Sequence, residues 1–93
     1  MAIAYIIECA NSYQKGNATN GEKYRLLFEG MYESGMDITI LSPNDVGNAY
    51  SNASVYYFKK GQREKAKQLL DKGLKIVPDN YQLKTRKQMI NGG

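Results

Sequence analysis

Small and apolar residues recur at three- and four-residue intervals along this chain, in five stretches separated by turn-forming residues. The clearest stretch is 50–78. Tyr50, Ala53, Ser54 and Tyr57 lie three, one and three apart, which places them in one stripe on a helix with small residues at its centre, where a partner helix can approach closely. Gly61 ends that helix. Ala66, Leu69, Leu70, Gly73, Leu74 and Val77 form the answering stripe on the next. Pro78 has no N–H and disfavours helical geometry in the residue before it, so the second helix stops near Ile76 or Val77. The pattern predicts two antiparallel helices joined by a tight turn.

The same reading extends along the chain. A first helix over 2–15 carries Ile3, Ile6, Ile7, Ala10 and Tyr13 as a continuous apolar face, broadened by Ala2, Tyr5 and Cys9, so it needs cover on more than one side. Gly16 ends it, and 17–21 is a polar turn. A second helix over 22–34 presents Tyr24, Leu27, Phe28, Met31 and Tyr32 on one face. Gly30 inside it costs about 1 kcal/mol relative to Ala and marks the expected crossing point of the first helix. Glu29 and Glu33, one turn apart, read as solvated. The β-branched run 37–41 predicts an extended connector that tucks Ile38, Ile40 or Leu41 against the core. Ser42 reads as an N-cap, with Pro43 in the first turn and Asp45 returning a bond. Helices over 43–60 and 62–76 follow, the latter with Asp71 and Lys75 in a favourable i,i+4 order. Asp79 caps a fifth helix over 80–90. The expected architecture is all-α: a hairpin over 1–36, a connector over 37–42, a second hairpin over 43–78, and a capping helix over 79–91.

Composition narrows the chemistry. With 93 residues, 42% hydrophobic and 24% charged, the chain makes one small globular domain. No apolar run approaches the roughly 18 to 20 residues that span a bilayer. The start has neither a basic region nor a small-residue cleavage site and does not read as a signal peptide, which makes the cytoplasm the default compartment. There is no histidine and only one cysteine, Cys9. That removes internal disulfides, the usual general base and the usual zinc ligand. Cys9, among Ile6, Ile7 and Ala10, reads as a buried hydrophobe. No Gly-rich phosphate loop or metal-ligand spacing appears, so no catalytic residue, metal or cofactor is expected.

Residues 50–78 resemble a tetratricopeptide repeat, whose aromatic, large-small, Tyr, Ala, bulky apolar and Pro slots are filled by Tyr50, Ala53, Ser54, Tyr57, Ala66, Leu70 and Pro78. Residues 2–36 resemble a degenerate first repeat through Ala10, Tyr13, Gly16, Phe28 and Met31, with a turn a couple of residues long. Tyr13 and Tyr57 are 44 residues apart, against about 34 in the regular repeat. The resemblance implies a short superhelix whose first and third helices line a concave groove for a peptide. The lining it implies is Asn48, Ser51, Asn52, Val55, Phe58 and Lys59 on the third helix and Ala4, Ile7, Asn11 and Gln14 on the first. Ile7, Val55 and Phe58 are apolar walls there, and the asparagines serve a peptide backbone. The alternative is that Val55 and Phe58 belong to the core or lie under the fifth helix.

A sharper form of the resemblance is the carboxylate clamp, by which co-chaperone repeats hold an acidic C-terminus. Tyr50-Ser51-Asn52, Asn11 and Arg86 match parts of it, but Ile7 and Gln82 stand where two of its lysines would be. Charge adds a rival. Residues 1–58 carry a net −3 and residues 59–93 a net +7, which opens RNA or DNA binding through a basic surface. The lysines spread round three helices without forming a stripe, as on solvated faces. The expected function is a non-catalytic protein interaction module without membrane insertion. The alternatives are a basic nucleic-acid-binding module and a structural segment of a longer array.

Overall fold

Two glycines set the layout. Gly16 and Gly61 take φ of 80° and 81°, a left-handed geometry that costs glycine nothing because it lacks a Cβ. Around each, the chain closes in the same way. The Gly16 N–H reaches the Tyr13 carbonyl and the Asn17 N–H the Ser12 carbonyl, while Gly61 reaches Phe58 and Gln62 reaches Tyr57. This pairing satisfies the last carbonyls of a helix and reverses the chain.

The computed structural model describes residues 2–92. Five helices follow in order: α1 (Ala2–Gln14), α2 (Ala18–Glu33), α3 (Pro43–Lys59), α4 (Arg63–Ile76) and α5 (Tyr81–Gly92), with a 3₁₀ turn at Ile38–Ile40 between α2 and α3. No strand occurs among the described residues. α1 packs on α2 and α3 on α4, α3 lies against α1, and α5 covers α4 and α3. The expected all-α architecture with neighbouring helices packed together is what the chain forms.

Several local expectations need correction. α2 starts at Ala18, not at residue 22, because the Asn17 side chain accepts the Asn20 N–H and caps it. The two turns are therefore equal in length, and the turn glycines and the starts of the second helices correspond at a shift of 45 residues, Gly16 to Gly61 and Ala18 to Arg63. The close crossing of α1 and α2 lies at Gly21, assigned above to the turn, and not at Gly30. A Cβ on Gly21 would sit 2.7 Å from the Tyr13 ring, whereas one on Gly30 meets nothing within 4 Å. The inward face of α1 is Ala2, Ile6, Cys9, Ser12 and Tyr13, leaving Ile3 and Ile7 exposed. Leu27 of α2 is exposed as well. The connector winds into a 3₁₀ turn instead of running extended, and only Leu41 tucks in. Ser42 occupies the N-cap position without a side-chain bond. Asn80, not Asp79, caps α5, its Oδ1 accepting the Leu83 N–H at 2.9 Å. Asp71 pairs with Lys87 at 2.7 Å and not with Lys75.

In the second hairpin the predicted stripes meet as read. Tyr50, Ala53, Ser54 and Tyr57 are buried against Ala66, Leu69, Leu70 and Gly73. Gly73 allows the approach: a Cβ there would stand 2.8 Å from Leu83 Cδ1 and 2.9 Å from Tyr50 Cβ. Leu83 and Ile90 seal the open side, so α5 covers the last apolar face.

The hairpins are joined by an ionic network on the α2 and α4 side. Arg25, only 6% exposed, donates Nε to Glu22 at 2.7 Å and Nη1 to Glu29 at 2.5 Å. Glu22 also accepts from the Tyr13 hydroxyl and from Lys65 at 3.2 Å; Glu29 accepts from Tyr50 at 2.8 Å and from Lys72 at 3.2 Å. Glu29 is thus a structural group, where a solvated one was expected. Burial alone would raise the Glu22 carboxyl; the bonds from Arg25, Tyr13 and Lys65 and the Arg25 charge outweigh it and hold the group down at about 2. Burial would lower the Arg25 guanidinium, and its two carboxylates push it up instead. The Tyr50 hydroxyl is pushed up by burial and then by Glu29. Cys9 is buried under the same helices, and burial pushes its thiol up to about 12, which leaves it protonated and unreactive at neutral pH.

Candidate functional site

On the opposite side of α1 and α3 from this network, the surface is open. Asn48, Asn52, Val55 and Lys59 follow at four-, three- and four-residue steps, which puts them in one stripe along α3. None is fully buried. α1 is fixed beside this stripe by Asn52, whose Nδ2 donates to the Ala10 carbonyl at 3.1 Å, and by Tyr13, whose ring lies 5.8 Å from that of Tyr56 and 5.9 Å from that of Tyr57. α5 flanks the stripe on its other side. Arg86 reaches over to α3, where its Nε donates to Ser51 Oγ at 3.2 Å.

These contacts leave a cleft of about 300 Å³ lined by Tyr13, Gln14 and Gly16 of the first hairpin, Asn52, Val55, Tyr56 and Lys59 of α3, and Arg86. Its chemistry is one-signed. It holds a guanidinium and an ammonium, two amides, two phenol rings and one valine, and no carboxylate lines it. Neither Lys59 nor Arg86 makes an ion pair among the described residues. On the other side of the molecule, Arg25, Lys65 and Lys72 are all committed to Glu22 or Glu29.

Of the sequence-derived groove residues, Gln14, Asn52, Val55, Lys59 and Arg86 share this cleft. Ile7, Asn11 and Asn48 are exposed but lie outside it. Phe58 is 45% exposed and also outside. Ser51 is corrected: it is 1% exposed, covered from the α5 side, and acts as the acceptor that holds Arg86. The cleft also uses Tyr13 and Gly16, which the sequence pattern places in the packed face and the turn, and Tyr56, which that pattern does not single out. The signal for Tyr56 was present: Asn52, Tyr56 and Lys59 step by four and three on α3.

Two further observations bound the chemistry. No group of three or more His, Cys, Asp or Glu that could hold a metal ion occurs among the described residues. No helix among the described residues is long and apolar enough to cross a membrane. Comparison with protein-family models, curated proteins and solved structures gave no match.

Proposed function

We propose that this chain is a non-catalytic, tetratricopeptide-like interaction module that holds an acidic stretch of another polypeptide in the cleft between α1, α3 and α5. The observation that carries the reading is the pairing of Lys59 and Arg86 in one cleft with no carboxylate. A carboxylate leaving water needs cationic donors in place of its hydration. The Asn52 and Gln14 amides suit a peptide backbone, and Val55 with the two tyrosine rings gives apolar wall. Support for the repeat-like reading comes from the two hairpins built on one turn geometry and the fifth helix that closes the end. The nucleic-acid alternative loses part of its basis, because Lys65, Lys67, Lys72, Lys84 and Lys87 all face carboxylates within 4 Å.

The test is fluorescence anisotropy with three labelled probes: an acidic peptide containing apolar residues, its charge-reversed counterpart, and a single-stranded RNA. Binding of the acidic peptide alone, abolished by Val55→Asp/Lys59→Glu while circular dichroism stays unchanged, is the expected outcome. RNA binding that falls steeply with salt and ignores the variant would establish the basic-surface reading instead.

A further inference from the structure

The two ends of the helical stack differ in charge and in shape. α1, α3 and α5 run in the same direction, as the successive links Asn80 to Pro43 and Arg86 to Ser51 show for α3 and α5, and as Asn52 to Ala10 and Tyr57 to Tyr13 show for α3 and α1. One end therefore carries both hairpin turns, with Lys15, Lys59 and Lys60 exposed and in no ion pair among the described residues. The carboxylates near that end, Glu22 and Glu64, already face Lys65 and Lys67. The other end carries the connector and the α4–α5 loop, with Glu33, Asp37 and Asp79 exposed. Its cations are Lys75 and Lys84, the latter 3.7 Å from Asp79.

Each end also has an unexplained apolar feature. At the acidic end, an open cavity of about 610 Å³ is lined by Ile38, Leu41, Ile76, Val77, Pro78 and Tyr81 among others, with Tyr81 81% exposed. Toward the basic end, in the last turn of α3, Phe58 stands 45% exposed and takes no part in the cleft described above. We propose that Phe58 of one copy seats in this cavity of a second copy, so that the chain associates end to end. The knob and the cavity lie at opposite ends, so the contact is heterologous and builds open rows of molecules instead of a closed dimer. A buried Phe contributes about 150–250 Å², and the end faces are small against the roughly 1,600 Å² of a stable interface. The association is accordingly weak and reversible. Opposite charge at the two rims makes it salt-sensitive.

Sedimentation equilibrium of the purified chain from about 10 μM to 1 mM tests this, since contacts of this size give weak complexes. At low salt the average mass should climb past that of a dimer without a plateau, and added salt should reverse the climb. Phe58→Asp removes the knob and Tyr81→Lys spoils the cavity; both side chains are exposed, so the fold should be kept. Each variant alone should stay monomeric. Mixed, they should form a dimer and stop there, because each still has one working end. A mass that stays monomeric over the whole range at low salt would overturn the proposal, as would association unchanged by either variant or no pairing in the mixture.

Discussion

The two hairpins share a turn geometry and one core, but their second helices face that core with different chemistry. At the shift of 45 residues that takes Gly16 to Gly61, the inward positions of α2 and α4 correspond as Gly21 to Ala66, Tyr24 to Leu69, Arg25 to Leu70 and Phe28 to Gly73. In α4 these positions make an apolar stripe with a small residue where Tyr50 and Leu83 come close. In α2 the bulk moves to Phe28, whose ring meets Tyr50 edge-on at 6.5 Å, and a guanidinium replaces the leucine. The same backbone plan therefore carries two kinds of inward face. One is held by apolar burial, which is tolerant of rearrangement. The other depends on Arg25, Glu22 and Glu29 all being present, because a buried charge without its partner is costly.

The substitution that breaks this comparison most sharply is Arg25→Leu, which gives α2 the residue α4 already has. The leucine fits the pattern, yet Glu22 and Glu29 lose their shared guanidinium. Chemical denaturation should show a loss of about 3–5 kcal/mol, the usual cost of orphaning one side of a buried pair. Adding Glu22→Gln and Glu29→Gln to the same variant should recover much of that loss. A loss for Arg25→Leu alone under about 1 kcal/mol, the range of surface pairs, would mean that the network is ornamental.

Gly73→Ala probes the small residue of the other hairpin. Its new Cβ would meet Leu83 Cδ1 at 2.8 Å and Tyr50 Cβ at 2.9 Å. The leucine tip can turn away, but a Cβ attached to the α3 backbone cannot. Overpacking of this kind costs about 1–3 kcal/mol, against about 1 kcal/mol gained from helix propensity. Thermal melts should therefore show a net loss. Gly30→Ala, at an exposed site with nothing within 4 Å, should instead raise stability by up to about 1 kcal/mol.

The contrast between the hairpins also explains what the sequence made legible. Periodicity located all five helices, and the stripes of α3 and α4 read correctly because every inward residue there is apolar or small. α2 read poorly for the same reason in reverse. Its inward face contains Arg25 and Gly21, so a search for apolar spacing rotated the helix toward Leu27, which is exposed. The spacing that would have found the network is ionic: Glu22, Arg25 and Glu29 at steps of three and four, answered by Lys65 and Lys72 seven apart. Five residues of the cleft were readable, from the α3 stripe, from Gln14 on α1 and from the place of Arg86. The burial of Ser51, which keeps it out of the cleft, was not, because it depends on where α5 lands, which no local pattern encodes.

Acid should separate the hairpins too. Glu22 is held at about 2 in the folded chain, below its ordinary 4.5. A carboxylate depressed on folding contributes stability that is fully present above the unfolded value and is lost as pH falls toward the folded one. Denaturation midpoints should therefore drop between about pH 5 and pH 2, and Glu22→Gln should flatten that slope while lowering the midpoint at neutral pH. An unchanged slope in the variant would place the acid sensitivity outside the first hairpin.

The smallest expected effect on stability is the one most informative about function. Lys59 is exposed and makes no ion pair among the described residues, whereas Lys65, on the neighbouring helix, faces Glu22 and lies over the Tyr57 ring at 4.3 Å. Removing each in turn compares a free charge with a committed one. Lys65→Ala should cost up to about 1 kcal/mol, as a partly screened pair and a ring contact are lost. Lys59→Ala should stay within about 0.5 kcal/mol of the parent, because no partner is left behind. The order should invert for binding of the acidic peptide. Loss of one charge-assisted bond, worth about 1.5–3 kcal/mol, weakens it by a factor of about ten or more for Lys59→Ala and leaves it nearly unchanged for Lys65→Ala. Equal effects of the two on binding would show that the peptide responds to total charge and not to the cleft.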